Sequence, residues 1–133
     1  MCVGAALGAD GRKVVSLCGD GGLMLNIGEL TTAVQEQADV TLLVMNDQGY
    51  GVIRNIQDAR FGGRHYFTDL RLPDLATLAQ SLGVPQWSVS AVTEFEEKFR
   101  EAISVNGPAL VEVDMQTIGP FKVPFAGPPV KTE

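Results

Sequence analysis

Short apolar runs alternate along this chain with segments whose apolar positions recur every three or four residues. That is the rhythm of βαβ units on a parallel sheet. Val14-Val15-Ser16-Leu17-Cys18 reads as a buried strand ending at Gly19-Asp20-Gly21-Gly22. After Gly28-Glu29, the positions of Leu30, Ala33, Val34 and Gln37 have helical spacing. Val40 to Met45 is a second continuous run, too short and too β-branched for a helix. It ends in the turn formers Asn46-Asp47-Gln48-Gly49-Tyr50-Gly51. A short helix is expected over Val52 to Gln57, with Phe61-Gly62-Gly63-Arg64 breaking anything longer. Pro73 is expected at the start of the next helix, where its missing N–H costs nothing. Leu75, Leu78, Ala79 and Leu82 form that helix's buried stripe, and Gly83 closes it. Gln86 to Ala91 is a third strand. Thr93-Glu94-Phe95-Glu96 has the form of a capping box opening a helix through Phe99 and Ile103. Asn106-Gly107-Pro108 turns into a last strand, Ala109 to Met115.

These elements predict a parallel α/β sheet with helices on both faces. Residues 1–118 are expected to form one domain, and 119–133 a Pro-rich tail carrying Pro120, Pro124, Pro128 and Pro129. Met1-Cys2-Val3-Gly4-Ala5-Ala6 begins within a helical pattern that has no cap before it. The chain is therefore expected to be an N-terminally truncated portion of a longer protein. At 133 residues, 45% apolar and 20% charged, it has the composition of one globular domain. Its 10 basic residues against 16 acidic ones form no basic cluster, which argues against a nucleic-acid surface. No apolar run approaches the ~18–20 residues of a membrane span. The apolar start lacks a basic region and meets Asp10-Gly11 too soon for a secretory signal. Cys2 and Cys18 lie among apolar neighbours and read as buried thiols of a reducing compartment, so the expected location is the cytoplasm.

Loops that follow the strands of a parallel sheet emerge at one edge, where open α/β folds bind their ligands. The Gly19–Gly22 and Asn46–Gly51 loops should therefore face each other. The first offers main-chain N–H groups at a helix N-terminus, suited to a phosphate, together with the Asp20 carboxylate. The second offers Asn46, Asp47 and the carbonyls of a glycine-rich turn. Oxygen ligands beside a phosphate-type anion describe a Mg²⁺ or Ca²⁺ site. The third glycine of GxGxxG is missing, so a dinucleotide site is the weaker reading, and no P-loop motif is present.

Gly19-Asp20-Gly21, Glu29-Leu30, Thr32-Ala33, and Asn46-Asp47 with Tyr50-Gly51 resemble the thiamine-diphosphate motif that begins GDG and ends NN. Asp20 and Asp47 are 27 positions apart, in agreement with that motif. The likeness continues through Gly51-Val52-Ile53-Arg54, Gln57, Asp69-Leu70, Pro73-Asp74 and Gly107-Pro108-Ala109-Leu110-Val111-Glu112-Val113. It is closest to the acetolactate synthase-like and benzoylformate decarboxylase-like 2-oxo-acid enzymes. The resemblance implies the cofactors thiamine diphosphate and Mg²⁺. It implies metal ligation by Asp20, Asp47 and the Gly49 carbonyl. Cofactor-binding roles would extend to Gly19, Gly21, Gly22, Tyr50 and Gly51, with Val52 and Ile53 near the thiazolium. It places no catalytic residue in this chain, because the activating glutamate belongs to a separate pyrimidine-binding domain, commonly of another subunit in a homo-oligomer. These residues alone are then expected to be catalytically inert.

Two departures stand out. Asp47 replaces the usual asparagine, adding a negative charge, and Ile56 stands where acetolactate synthases commonly carry tryptophan. The implied activity is decarboxylation of a 2-oxo acid followed by ligation to a second carbonyl compound. The alternatives are a decarboxylase releasing an aldehyde and a non-catalytic metal- or phosphate-binding module. His65, Arg60 and Arg64 read as loop surface, Trp87 and Tyr66 as packing anchors, and Glu29 as a helix-opening acid.

Overall fold

The computed structural model describes residues 1–119, and the proline-rich tail expected beyond them lies outside the described residues. Four apolar runs become strands: β1 (Val14–Gly19), β2 (Val40–Asn46), β3 (Gln86–Val89) and β4 (Ala109–Asp114). They form a sheet in the order β1-β2-β4-β3 with every pair parallel. Parallel neighbours need long crossovers, and helices supply them: α2 (Asp20–Leu25) and α3 (Glu29–Gln35), then α4 (Gly51–Phe61) and α5 (Leu75–Ser81), then α6 (Val92–Ser104), while α1 (Cys2–Leu7) precedes β1 and α7 (Met115–Ile118) follows β4.

Successive side chains of a strand point to opposite faces, and the two central strands are apolar on both. On one face Val40, Leu42, Val44 and Leu110 pack with Leu30 and Ala33 of α3, and with Leu75 and Ala79 of α5. On the other, Val111 and Val113 meet Val89 and Ala102, with Phe95 and Phe99 of α6 against them. The two rings stack with centroids 5.3 Å apart. The expectation of helices on both faces therefore holds. Each fully buried aliphatic side chain here contributes about 1.5–3 kcal/mol, so β2 and β4 carry the core.

The amino edge of the sheet is bolted by charge. Lys13 Nζ pairs with Asp39 and donates to the carbonyls of Val105 and Gly107, while the Gly107 N–H donates to Asp39 Oδ1 at 3.1 Å. One half-buried lysine thus joins the entrance of β1 to the turns before β2 and β4.

Several local expectations are corrected. Asp20-Gly21-Gly22 is the first turn of α2, not a loop. Helix α4 reaches Phe61, beyond Gln57, and stops at Gly62 with φ 62°. Asp74 caps α5 by accepting from the Thr77 N–H at 2.9 Å, so Pro73 precedes the cap and is not the first helical residue. In α6 the N-cap is Ala91, and Thr93 lies inside the helix without a capping bond. Neither half of that motif operates: Glu96 pairs with Arg100 at 2.7 Å, and it is Glu94 whose Oε2 accepts from the Ser90 N–H at 3.4 Å and pairs with Lys98 at 2.8 Å. With Ser90 facing Glu94, β3 ends at Val89 rather than Ala91. Cys2 and Cys18 are half-buried rather than buried. Tyr66 is 65% exposed and anchors no core, whereas Trp87 does pack beside Val89. Among the described residues no helix is long and apolar enough to cross a membrane.

Candidate functional site

Because β1 and β2 run parallel, Gly19 and Asn46 end at the same edge, and the two acidic turns meet there. Asp20 follows β1 directly and is only 2% exposed. Its Oδ1 accepts from the Gly21 N–H at 2.8 Å and its Oδ2 from the Gly49 N–H at 2.9 Å. A buried carboxyl group needs hydrogen-bond donors in place of the water it has lost. Here one donor comes from each turn, so Asp20 stitches them together.

The second turn is shaped by three fixtures. Asn46 Oδ1 accepts from the Gln48 N–H at 3.1 Å, while Asn46 Nδ2 donates to Glu112 Oε1 on β4 at 2.6 Å. Gln48 has φ 55°, a left-handed conformation that costs a non-glycine residue about 1–2 kcal/mol. That strain is held by residues 68–70, which pair antiparallel with the turn. The Tyr50 N–H donates to the Thr68 carbonyl at 2.7 Å and the Leu70 N–H to the Gln48 carbonyl at 2.9 Å. Gln116 Nε2 of α7 adds a bond to the Asp47 carbonyl at 2.8 Å.

Asp47 completes the site. Its carboxyl is pushed above the usual aspartate range, first by burial, then by the charge of Asp20 and a hydrogen bond to it; the charge of Arg54 opposes the shift. Two acidic side chains in hydrogen-bonding reach repel when both are ionised, unless a proton or a cation lies between them. Two glycines make room. A Cβ on Gly51 would collide with the Asp47 carboxylate, and one on Gly21 would come within 2.6 Å of the Tyr50 ring.

All the residues expected from the sequence gather at this edge, though in different settings. Asp20, Gly21 and Gly49 are buried, and Asp47, Tyr50 and Gly51 partly so. Gly19 and Gly22 are exposed at the end of β1 and in the first turn of α2. Val52 and Ile53, 51% and 47% exposed, occupy the first turn of α4. Sequence reasoning missed the supports of the turn. Glu112 was detectable as an acid in the middle of an otherwise apolar run. Gln116, and the Arg54–Asp69 pair at 3.0 Å, gave no signal, since their partners are set by how the loops pack. His65 lies exposed, its Nε2 hydrogen-bonded to Asp58 Oδ1 at 2.6 Å.

A parallel sheet with convergent carboxylates and clearance at its carboxyl edge defines an α/β cofactor-binding domain. The chain belongs to the thiamine pyrophosphate enzyme family: the model of its C-terminal TPP binding domain matches residues 1–113. Thiamine diphosphate is the cofactor of this domain family, and Mg²⁺ is its usual partner metal. The acetolactate synthase large subunit of Haemophilus influenzae is 36% identical over 114 residues, covering 85% of this chain and 20% of that protein. The acetolactate synthase isozyme 3 large subunit of Escherichia coli is 33% identical over 119 residues, covering 88% and 21%. A solved structure, the thiamine diphosphate-dependent 4-hydroxybenzoylformate decarboxylase of Rhodococcus jostii RHA1, superposes with a TM-score of 0.77 at 30% identity, covering 85% of this chain and 21% of that one. The chain thus spans about one fifth of the length of the relatives it matches.

Proposed function

We propose that this chain is the diphosphate- and Mg²⁺-binding part of an enzyme that decarboxylates a 2-oxo acid and ligates the fragment to a second carbonyl compound. The carrying observation is the meeting of the Asp20 and Asp47 carboxylates at the carboxyl edge of a parallel sheet. The donor set fits the group. Mg²⁺ takes oxygen ligands and is usually held by one or two carboxylates plus phosphate oxygens. Asp20 and Asp47 would supply the carboxylates and Gly49 a main-chain carbonyl. The main-chain N–H groups of Gly22 in the first turn of α2 and of Gly51 would face the diphosphate; those of Gly21 and Tyr50 are held by Asp20 and the Thr68 carbonyl, so these two residues would shape the cradle. Val52 and Ile53 would offer an apolar wall that keeps water from the reacting centre.

When bound, thiamine diphosphate supplies the electron sink that makes cleavage beside the carboxyl group feasible. This chain's residues bind and orient it. The group that activates the aminopyrimidine would come from a pyrimidine-binding domain, from another subunit of a homo-oligomer. The isolated 133 residues would then be inert. Full-length protein given pyruvate, thiamine diphosphate and Mg²⁺ is expected to form acetolactate; turnover by residues 1–133 alone would contradict the division of labour.

Two observations favour a second reading, a decarboxylase that releases an aldehyde: Ile56 in place of tryptophan, and the likeness to the decarboxylase structure. Free aldehyde as the main product would select it.

A further inference from the structure

Arg54 lies outside the acidic motif yet presses on its most crowded point. Its main-chain N–H donates to the Tyr50 carbonyl at 2.9 Å, at the start of α4. Its guanidinium packs over Gly49 so closely that a Cβ there would strike Nη2. The same Nη2 donates to Asp69 Oδ1 at 3.0 Å. Asp69 faces Gly49 across the antiparallel bridge, between the Tyr50–Thr68 and Leu70–Gln48 bonds. The chain therefore leaves the acidic turn, enters α4, and ties back from α4 onto the segment behind that turn. Gly49 is enclosed: its amide is spent on Asp20, the guanidinium covers one side, and the Thr68 carbonyl stands against it.

We infer that Arg54 and Asp69 form a latch that positions the Asp47–Gly49 turn for its cation, acting through the turn and not by touching the ion. The inference rests on the cofactor reading above. An ion pair whose aspartate side chain is 89% exposed adds little to folding. Its consequence is geometric: without it, a turn containing a left-handed Gln48 is free to relax and carry Asp47 and Gly49 with it. Partners one step removed from a metal hold its ligands in just this way.

The test uses the intact protein that contains this chain, with Mg²⁺ titrated calorimetrically at saturating thiamine diphosphate. Arg54→Met and Asp69→Asn should each raise the Mg²⁺ Kd about tenfold. The double variant should lie within about twofold of the weaker single, because both break one latch. Arg54→Lys, which keeps a cation able to reach Asp69, should recover most of the affinity. Unfolding of the metal-free variants in EDTA should stay within about 2 °C of the parent, as for an exposed pair. Single variants within twofold of the parent would overturn the latch, as would effects that multiply in the double variant or a matching loss of metal-free stability. A parent that binds neither Mg²⁺ nor thiamine diphosphate would instead overturn the cofactor reading, and the latch with it.

Discussion

The two edges of the sheet both hold carboxylates and treat them in opposite ways. At the amino edge, Asp39 meets Lys13 and the Gly107 N–H, so its charge is balanced by the chain. At the carboxyl edge, Asp20 and Asp47 meet each other, and the positive charge that bears on Asp47 belongs to Arg54, whose guanidinium is paired with Asp69. One edge spends its charges on cohesion. The other leaves like charges facing each other, an arrangement that a bound cation relieves. Within one small domain, the sign of the nearest partner separates the carboxylate that ties the fold from the pair proposed to hold a cation.

The contrast is broken most severely at Asp20. Asp20→Ala removes a buried carboxylate and strands the amides of Gly21 and Gly49, so on the proposed function affinity for thiamine diphosphate with Mg²⁺ should fall by about 2 kcal/mol or more, ~30-fold; calorimetry on the full-length protein measures it. Asp39→Ala should do the reverse, lowering stability in urea by about 1–2 kcal/mol while cofactor affinity stays within about twofold. Equal effects of both variants on both measurements would erase the distinction between the edges.

Asp47 sharpens the comparison through pH. Its folded-state pKa is raised, so the metal-free fold binds its proton more tightly than the unfolded chain does. Stability from this group is full below the ordinary aspartate range and is lost as pH rises through the raised value. Unfolding in EDTA should therefore show stability declining over that window, and Asp47→Asn should flatten the decline. Smallest of all, Asp114→Ala should cost about 0.5–1 kcal/mol. It removes the cap that accepts from the Gln116 and Thr117 N–H groups at 2.9 and 3.3 Å. The loss should be seen in thermal melts, with a slight weakening of cofactor binding because Gln116 steadies the Asp47 carbonyl.

The sheet was legible because β2 and β4 are buried on both faces and so read as nearly continuous apolar runs, β4 interrupted at Glu112, and parallel pairing followed from the helices between them. The meeting of the two acidic turns was legible for a related reason: strand ends in a parallel sheet share an edge. Helix starts were read less well. Thr93 has the right residue type for a cap, but the chain enters α6 two residues earlier, and Ala91 takes that place. Pro73 and Asp74 were both eligible to open α5, and the Thr77 N–H decides for Asp74. The latch and the bonds from Glu112 and Gln116 depend on side chains meeting across 15 to 69 positions, a distance over which periodicity carries no information.

Strand order has a consequence for synthesis. β4 lies between β2 and β3 although it is the last of the four in sequence. A chain emerging from the ribosome can pair β1 with β2, but β3 has no strand to bond until residues 109–114 appear. Until then Val89 and Ala102 wait without Val111 and Val113, half of their cluster. Insertion of this last strand closes two pairings at once, which makes it a late, non-local and slow event. An arrest just before Ala109 would leave open two strand edges that the finished sheet pairs, one on β2 and one on β3, and unpaired edges favour self-association.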